Sequence, residues 1–116
     1  MLIKFDKIKE VSFVENSVEE AFKKLKKGKF EDKQLYDFLK KSILKLKRNQ
    51  MVGIKIPSKF WPKEYIVNYK VRNLWKLGLP NGWRLIYTIT PENEVELISA
   101  ILEWLDHKDY ERTFHY

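Results

Sequence analysis

The sequence predicts an α+β domain, with two helices early and a three-stranded antiparallel meander late. Three observations predict it. Apolar residues recur at helical spacing between Val18 and Leu46. From Asn73 onward, apolar and aromatic runs are separated by the turn triplets Pro80-Asn81-Gly82 and Pro91-Glu92-Asn93. The chain has 116 residues, enough for one core but not two, so both halves belong to a single domain, 1–116.

The elements follow in order. Leu2 to Phe5 and Val11 to Val14 are short apolar stretches, and one or both form an opening strand. Ser17-Val18-Glu19-Glu20 fits a capping box, the Ser17 hydroxyl capping a helix with Glu20 three residues on. Val18, Ala21, Phe22 and Leu25 continue the helix, and Gly28 stops it. A second helix runs from Asp32 to about Arg48, with Leu35, Phe38, Leu39, Ser42, Ile43 and Leu46 as its inner stripe. The short connection makes the pair an antiparallel hairpin.

Gln50 to Lys63 is irregular, although Val52, Ile54 and Ile56 alternate as in a short edge strand. Pro62 suits the first turn of a short helix, and Tyr65 to Val71 reads equally as helix or strand. Leu74 to Leu79 is a strand. Trp83 to Thr90, rich in aromatic and β-branched residues, is the central one. Val95 to Leu102 is apolar enough for a strand buried on both faces. Asp106 to Phe114 is a short final helix or an extended tail. The helical hairpin covers one sheet face and leaves the other to solvent, a partner or a substrate.

Composition narrows the function. No apolar run approaches the length of a membrane span, and Met1 to Asp6 lacks the apolar region of a signal peptide. A cytoplasmic location is expected. The absence of cysteine excludes disulfides, thiol catalysis and cysteine-based zinc sites. A formal charge of +7 favours RNA, DNA or an acidic protein as partner. Much of the excess lies in Lys23 to Lys29 and Lys40 to Arg48, which read as solvated helix faces.

Strand period two places Trp83, Leu85, Tyr87 and Ile89 on one face, and Arg84, Ile86 and Thr88 on the other. Leu74, Lys76 and Gly78 share a face of the preceding strand, and hairpin pairing can bring Lys76 near Arg84. His107, Lys108 and Tyr110 follow the last strand. Histidine moves a proton near neutrality, and Lys and Arg stabilise a doubly charged phosphorane. Tyrosine stacks on a base or donates a hydrogen bond. These five are the candidate catalytic residues. Arg72, Trp83, Arg112 and Tyr116 are candidate RNA contacts. Each also has a plainer reading as a surface cation or a packing aromatic. His107 and His115 are the only histidines, so no metal site and no cofactor is expected. Glu92, Glu94 and Glu96 read as a guard against edge pairing. Trp61, Trp75, Trp83 and Trp104 read as core before binding platform, with Trp75 or Trp83 the exception if its face is open.

Gly82-Trp83-Arg84-Leu85-Ile86-Tyr87 resembles the G-[YW]-R-[LV]-[IV]-Y strand of the RelE/ParE toxin superfamily. Leu74-Trp75-Lys76-Leu77 and His107-Lys108-Asp109-Tyr110 resemble the motifs beside it. The resemblance covers most of the chain and is most specific from Asn73 to Tyr110. It implies a β-α-α-β-β-β toxin of a type II toxin–antitoxin pair. RelE-like members are endoribonucleases that cleave mRNA on the ribosome, whereas ParE-like members poison DNA gyrase. Arg84 matches the central-strand arginine of the nucleases and Lys76 a lysine of the preceding strand. Lys108 falls where an arginine is common. Either Tyr110 or Tyr116 matches a C-terminal tyrosine. Leu74 departs from members carrying a second lysine there, which keeps a non-catalytic relative in view. The resemblance further implies an acidic, partly disordered antitoxin, mRNA and the ribosome as partners, and a monomer or weak homodimer when alone.

Overall fold

The computed structural model describes residues 10–91 and 97–114. Within them the chain is α+β. Strand β1 (Glu10–Phe13) leads into helices α1 (Asn16–Leu25) and α2 (Phe30–Arg48). Strand β2 (Ile54–Lys55) and helix α3 (Lys63–Tyr69) follow, flanked by single 3-10 turns at Gln50–Val52 and Ser58–Phe60. The last part comprises β3 (Trp75–Gly78), β4 (Arg84–Pro91), β5 (Leu97–Leu105) and α4 (His107–Phe114).

The five strands form one sheet in the order β1-β5-β4-β3-β2. The β3–β4–β5 meander is antiparallel, and β1 lies parallel to β5 with Glu10 opposite Ile98. Two strand expectations are refined. The Val11–Val14 segment is a sheet edge, and the alternating Val52–Ile56 segment supplies two strand residues at the other edge. The Leu2–Phe5 expectation lies outside the described residues, as do Glu92, Glu94, Glu96, His115 and Tyr116.

The Ser17 capping box does not form. Helix α1 starts a turn-fraction earlier, with Glu15 as N-cap and its carbonyl accepting from the amides of Val18 (3.1 Å) and Glu19 (3.3 Å). The comparable device is on α2, where the Lys29 amide donates to the Asp32 carboxylate at 3.1 Å. A Cβ on Gly28 would run into that carboxylate, so the glycine is kept for space. Tyr65 to Tyr69 resolves as helix. Pro62 presets its entry, and Lys70 ends it in the left-handed region (φ 52°).

Turn chemistry fixes the β3–β4 hairpin. Asn81 (φ 62°) and Gly82 (φ 79°) are both left-handed, which Asn and Gly tolerate best. The Leu79 amide closes the turn onto the Trp83 carbonyl at 2.9 Å.

Two apolar clusters sit on opposite faces of the sheet. One joins Leu35, Leu39 and Leu46 of α2 to Leu77, Leu85, Tyr87 and Ile89. Trp75, Trp83 and Trp104 pack against it. The other joins Leu74 and Ile86 to Tyr65 of α3 and to Tyr110 and Phe114 of α4. The second face is therefore not left open, as the sequence suggested. Leu74 and Ile86 are both 0% exposed, and apolar side chains on that face need a cover, which α3 and α4 supply.

Tyr87 stitches the central strand to the loop after α2. Its hydroxyl donates to the Gln50 carbonyl at 2.7 Å and accepts from the Gly53 amide at 3.1 Å. Gly53 has to lack a side chain: a Cβ there would lie 2.5 Å from the Lys76 carbonyl oxygen and 2.8 Å from the Tyr87 hydroxyl.

Candidate functional site

The register places Lys76 opposite Ile86 and Arg84 opposite Gly78. Lys76 and Arg84 are thus diagonal neighbours on one face, within reach of long side chains. They converge on a third residue. The Lys76 Nζ lies 5.0 Å from the centre of the Tyr110 ring, and the Arg84 Cζ lies 5.3 Å from it. Both distances fall within the range of a cation–π contact. Three of the five candidate catalytic residues, from β3, β4 and α4, therefore meet at one end of the sheet.

Helix α4 is held there by its cap. The Asp106 carboxylate accepts from the Asp109 amide at 2.8 Å, and the Asp106 carbonyl accepts from the Tyr110 amide at 2.8 Å. Tyr110 and Phe114, four residues apart, point into the core together, with ring centres 4.9 Å apart. Tyr110 is 3% exposed and its hydroxyl is buried. It therefore presents the ring to the two cations, not its oxygen to solvent.

The Arg84 guanidinium is oriented from a second direction. Nη1 donates to the Gly82 carbonyl at 2.8 Å and reaches the Trp83 carbonyl at 3.4 Å. His107 backs onto the same turn, since a Cβ on Gly82 would meet the His107 Cβ at 3.4 Å. The His107 Nε2 lies 3.4 Å from a carboxylate oxygen of Glu111, one helical turn on, and both side chains are largely exposed. The histidine thus stands at the rim of the cluster with an acid beside it.

The remaining candidates lie elsewhere. Lys108 is exposed on the outer side of α4, as is Arg112, which pairs with Asp109 at 3.1 Å on its own helix. Trp83 packs against the α2-side core, away from the two cations. Arg72 precedes β3 and lies towards the far end of the hairpin, beside Thr88 and Thr90. Tyr116 is outside the described residues. The lysine-rich runs on α1 and α2 are mostly exposed, and Lys23 pairs with Glu19 at 3.4 Å.

Sequence reasoning passed over Asp106 and Asn73. Asp106 was legible, because an Asp directly before a His107/Tyr110/Phe114 stripe is a helix-start signal. Asn73 carried no such signal. Its amide nitrogen donates to the Ile89 carbonyl (2.8 Å) and its oxygen accepts from the Ile89 amide (2.8 Å). It therefore substitutes for a strand peptide where β3 has not yet begun.

Chemically, the cluster offers two fixed positive charges for an anion and an imidazole at its edge. Comparison with protein-family models, with curated proteins and with solved structures finds no match.

Proposed function

We propose that this protein is a RelE-like toxin, an endoribonuclease that cuts mRNA on the ribosome, inhibits translation and is neutralised by an acidic antitoxin. The observation that carries the reading is the convergence of Lys76 and Arg84 on the Tyr110 ring. The net charge of +7 and the Gly82-to-Tyr87 motif support it.

The chemistry follows from the substrate. RNA brings its own nucleophile, the 2′-hydroxyl. Its oxygen attacks the adjacent phosphorus, the bond to the 5′-oxygen breaks, and a 2′,3′-cyclic phosphate and a 5′-hydroxyl result. The 2′-hydroxyl loses a proton and the departing 5′-oxygen gains one. In this reading Lys76 and Arg84 neutralise the charge that builds on the phosphorane oxygens. Tyr110 positions both cations through its ring. His107 handles a proton at the rim, and Lys108 adds positive charge outside. Ordering of these groups before substrate arrives lowers the barrier further.

A second reading has one observation in its favour. Leu74, where some RelE enzymes carry a lysine, is 0% exposed inside the α3–α4 cluster. A non-catalytic relative that binds nucleic acid, or a ParE-like gyrase inhibitor, has no need of that lysine.

Adding wild type and Arg84→Ala to a translating extract, with mapping of mRNA 5′ ends, tests the proposal. Cuts made only by wild type support it. Loss of one charged donor of this kind typically costs about 10²–10³-fold in rate. Equal cutting by both proteins removes Arg84 from the site. No cutting by either, with translation unimpaired, rejects the nuclease reading.

A further inference from the structure

A second cationic feature stands near the other end of the β3–β4 hairpin. Arg72 is exposed and borders two concavities at once. One, of about 400 Å³, is walled by Tyr69, Lys70, Asn73 and Thr88. The other, of about 390 Å³, is walled by Lys55, Ser58 and Trp61. Among the described residues neither lining includes a carboxylate, and no ion pair engages Arg72. On the Tyr69 side, the Glu15 carboxylate accepts from the Tyr69 hydroxyl at 3.1 Å.

The walls are braced. The Trp61 indole nitrogen donates to the Ile56 carbonyl at 2.8 Å, which sets the ring plane. Asn73 is locked to Ile89 on both edges of its amide, and the Thr88 hydroxyl donates to the Asn73 carbonyl at 2.6 Å. Arg72 therefore projects from a fixed base between two preformed hollows. A guanidinium fork suits a phosphate, and aromatic walls suit the faces of bases. Each hollow is at the small end of the range for ligand sites, a fit for one nucleoside.

We propose that Arg72 holds a phosphate of a single RNA strand whose flanking nucleosides occupy the two hollows. The inference rests on the RNA-cleaving reading and extends it to a second contact point. Thr88, beside Arg72, is four residues along β4 from Arg84. That is about 13 Å at the usual strand rise. Helices α3 and α4 cover the sheet face between these two points, so a strand touching both ends runs around them and spans more than that distance. Unpaired RNA is required, because a duplex does not release its bases into separate hollows.

A 2′-O-methyl oligonucleotide, single-stranded and long enough to cover both ends, binds without being cut because its nucleophile is blocked. Its affinity is measured against salt for wild type, Arg72→Glu and Arg84→Glu, with ATP titrated separately. Arg72→Glu is expected to weaken binding about tenfold or more. It should also lower the slope of log K against log salt by about 0.7, the value for one phosphate of a single strand. If only Arg84→Glu weakens RNA binding, the Arg72 contact is refuted while the nuclease reading stands. If ATP binds at Arg72 and RNA affinity ignores its mutation, the groove serves free nucleotides and the proposal is overturned. If wild type binds no free RNA, the Arg72 contact is refuted, and the ribosome-dependent nuclease reading stands or falls by the cutting assay in the translating extract.

Discussion

Replacing Tyr87 with Phe removes one oxygen from a side chain that is 0% exposed. Two hydrogen bonds go with it, to the Gln50 carbonyl at 2.7 Å and from the Gly53 amide at 3.1 Å. The ring itself stays, stacked on Trp75 with centres 6.1 Å apart, so no cavity larger than a hydroxyl opens. The cost lies in the orphaned backbone groups. A buried polar group left without a partner costs about 1–3 kcal/mol. Two such groups would cost about 2–6 kcal/mol, and partial hydration of the Gln50–Gly53 loop recovers some of this, so about 2–3 kcal/mol is expected. Urea unfolding of wild type and Tyr87→Phe measures it directly, as a lower midpoint with an unchanged slope.

The pH dependence gives an independent check. Burial pushes the Tyr87 hydroxyl above the usual phenol range, partly offset by the Gly53 amide. A group whose pKa is raised on folding contributes stability that is complete below its unfolded pKa, here about 10. That contribution is lost as pH rises through the folded value. The wild-type advantage over Tyr87→Phe should therefore hold from neutral pH to about 10 and shrink above it. A difference under about 0.5 kcal/mol at neutral pH, the scatter of ordinary surface changes, would refute the idea that Tyr87 anchors the loop.

Other outcomes follow from the same contacts. Gly53→Ala should cost about 1–3 kcal/mol by thermal melting, because its Cβ has no room beside the Lys76 carbonyl and the Tyr87 hydroxyl. Tyr110→Phe keeps the ring under both cations and should leave cleavage within about threefold of wild type. Tyr110→Leu removes that platform and should lower cleavage about tenfold or more, beyond what its lower stability explains at a temperature where both proteins are folded. Equal activity in the Phe and Leu variants would show that the ring does not position Lys76 and Arg84.

The strand order was legible where turn chemistry was explicit. Pro80-Asn81-Gly82 set the hairpin, and the alternation around Arg84 and Ile86 sorted the faces correctly. What lay beyond reach was the destination of α3 and α4. Nothing in Tyr65, Tyr110 or Phe114 says that these aromatics lie over Ile86, because periodicity marks an apolar face without naming its partner. The same gap misread Tyr110. As a residue type it offered a hydroxyl or a stacking face to RNA; packing buries the hydroxyl and turns the ring to two cations. The Ser17 motif erred differently, because a short capping pattern competes with the backbone geometry of the preceding strand. Arg72 was singled out, but the hollows on either side of it are assembled from segments too far apart in the chain to be read as a motif.

The parallel pairing of β1 with β5 sets an order of events. Glu10 lies opposite Ile98, most of the chain's length away in sequence. No local turn can bring those segments together, and closing so long a loop is a slow step in folding. The meander can pair among neighbours first, while β1 waits with an open edge and α1 and α2 behind it. The two cations face the same delay. Lys76 and Arg84 find each other early, across one tight hairpin, but Tyr110 belongs to the final helix. A chain caught partway therefore has Lys76 and Arg84 side by side without the Tyr110 ring over which both lie, so the three-residue cluster is completed last.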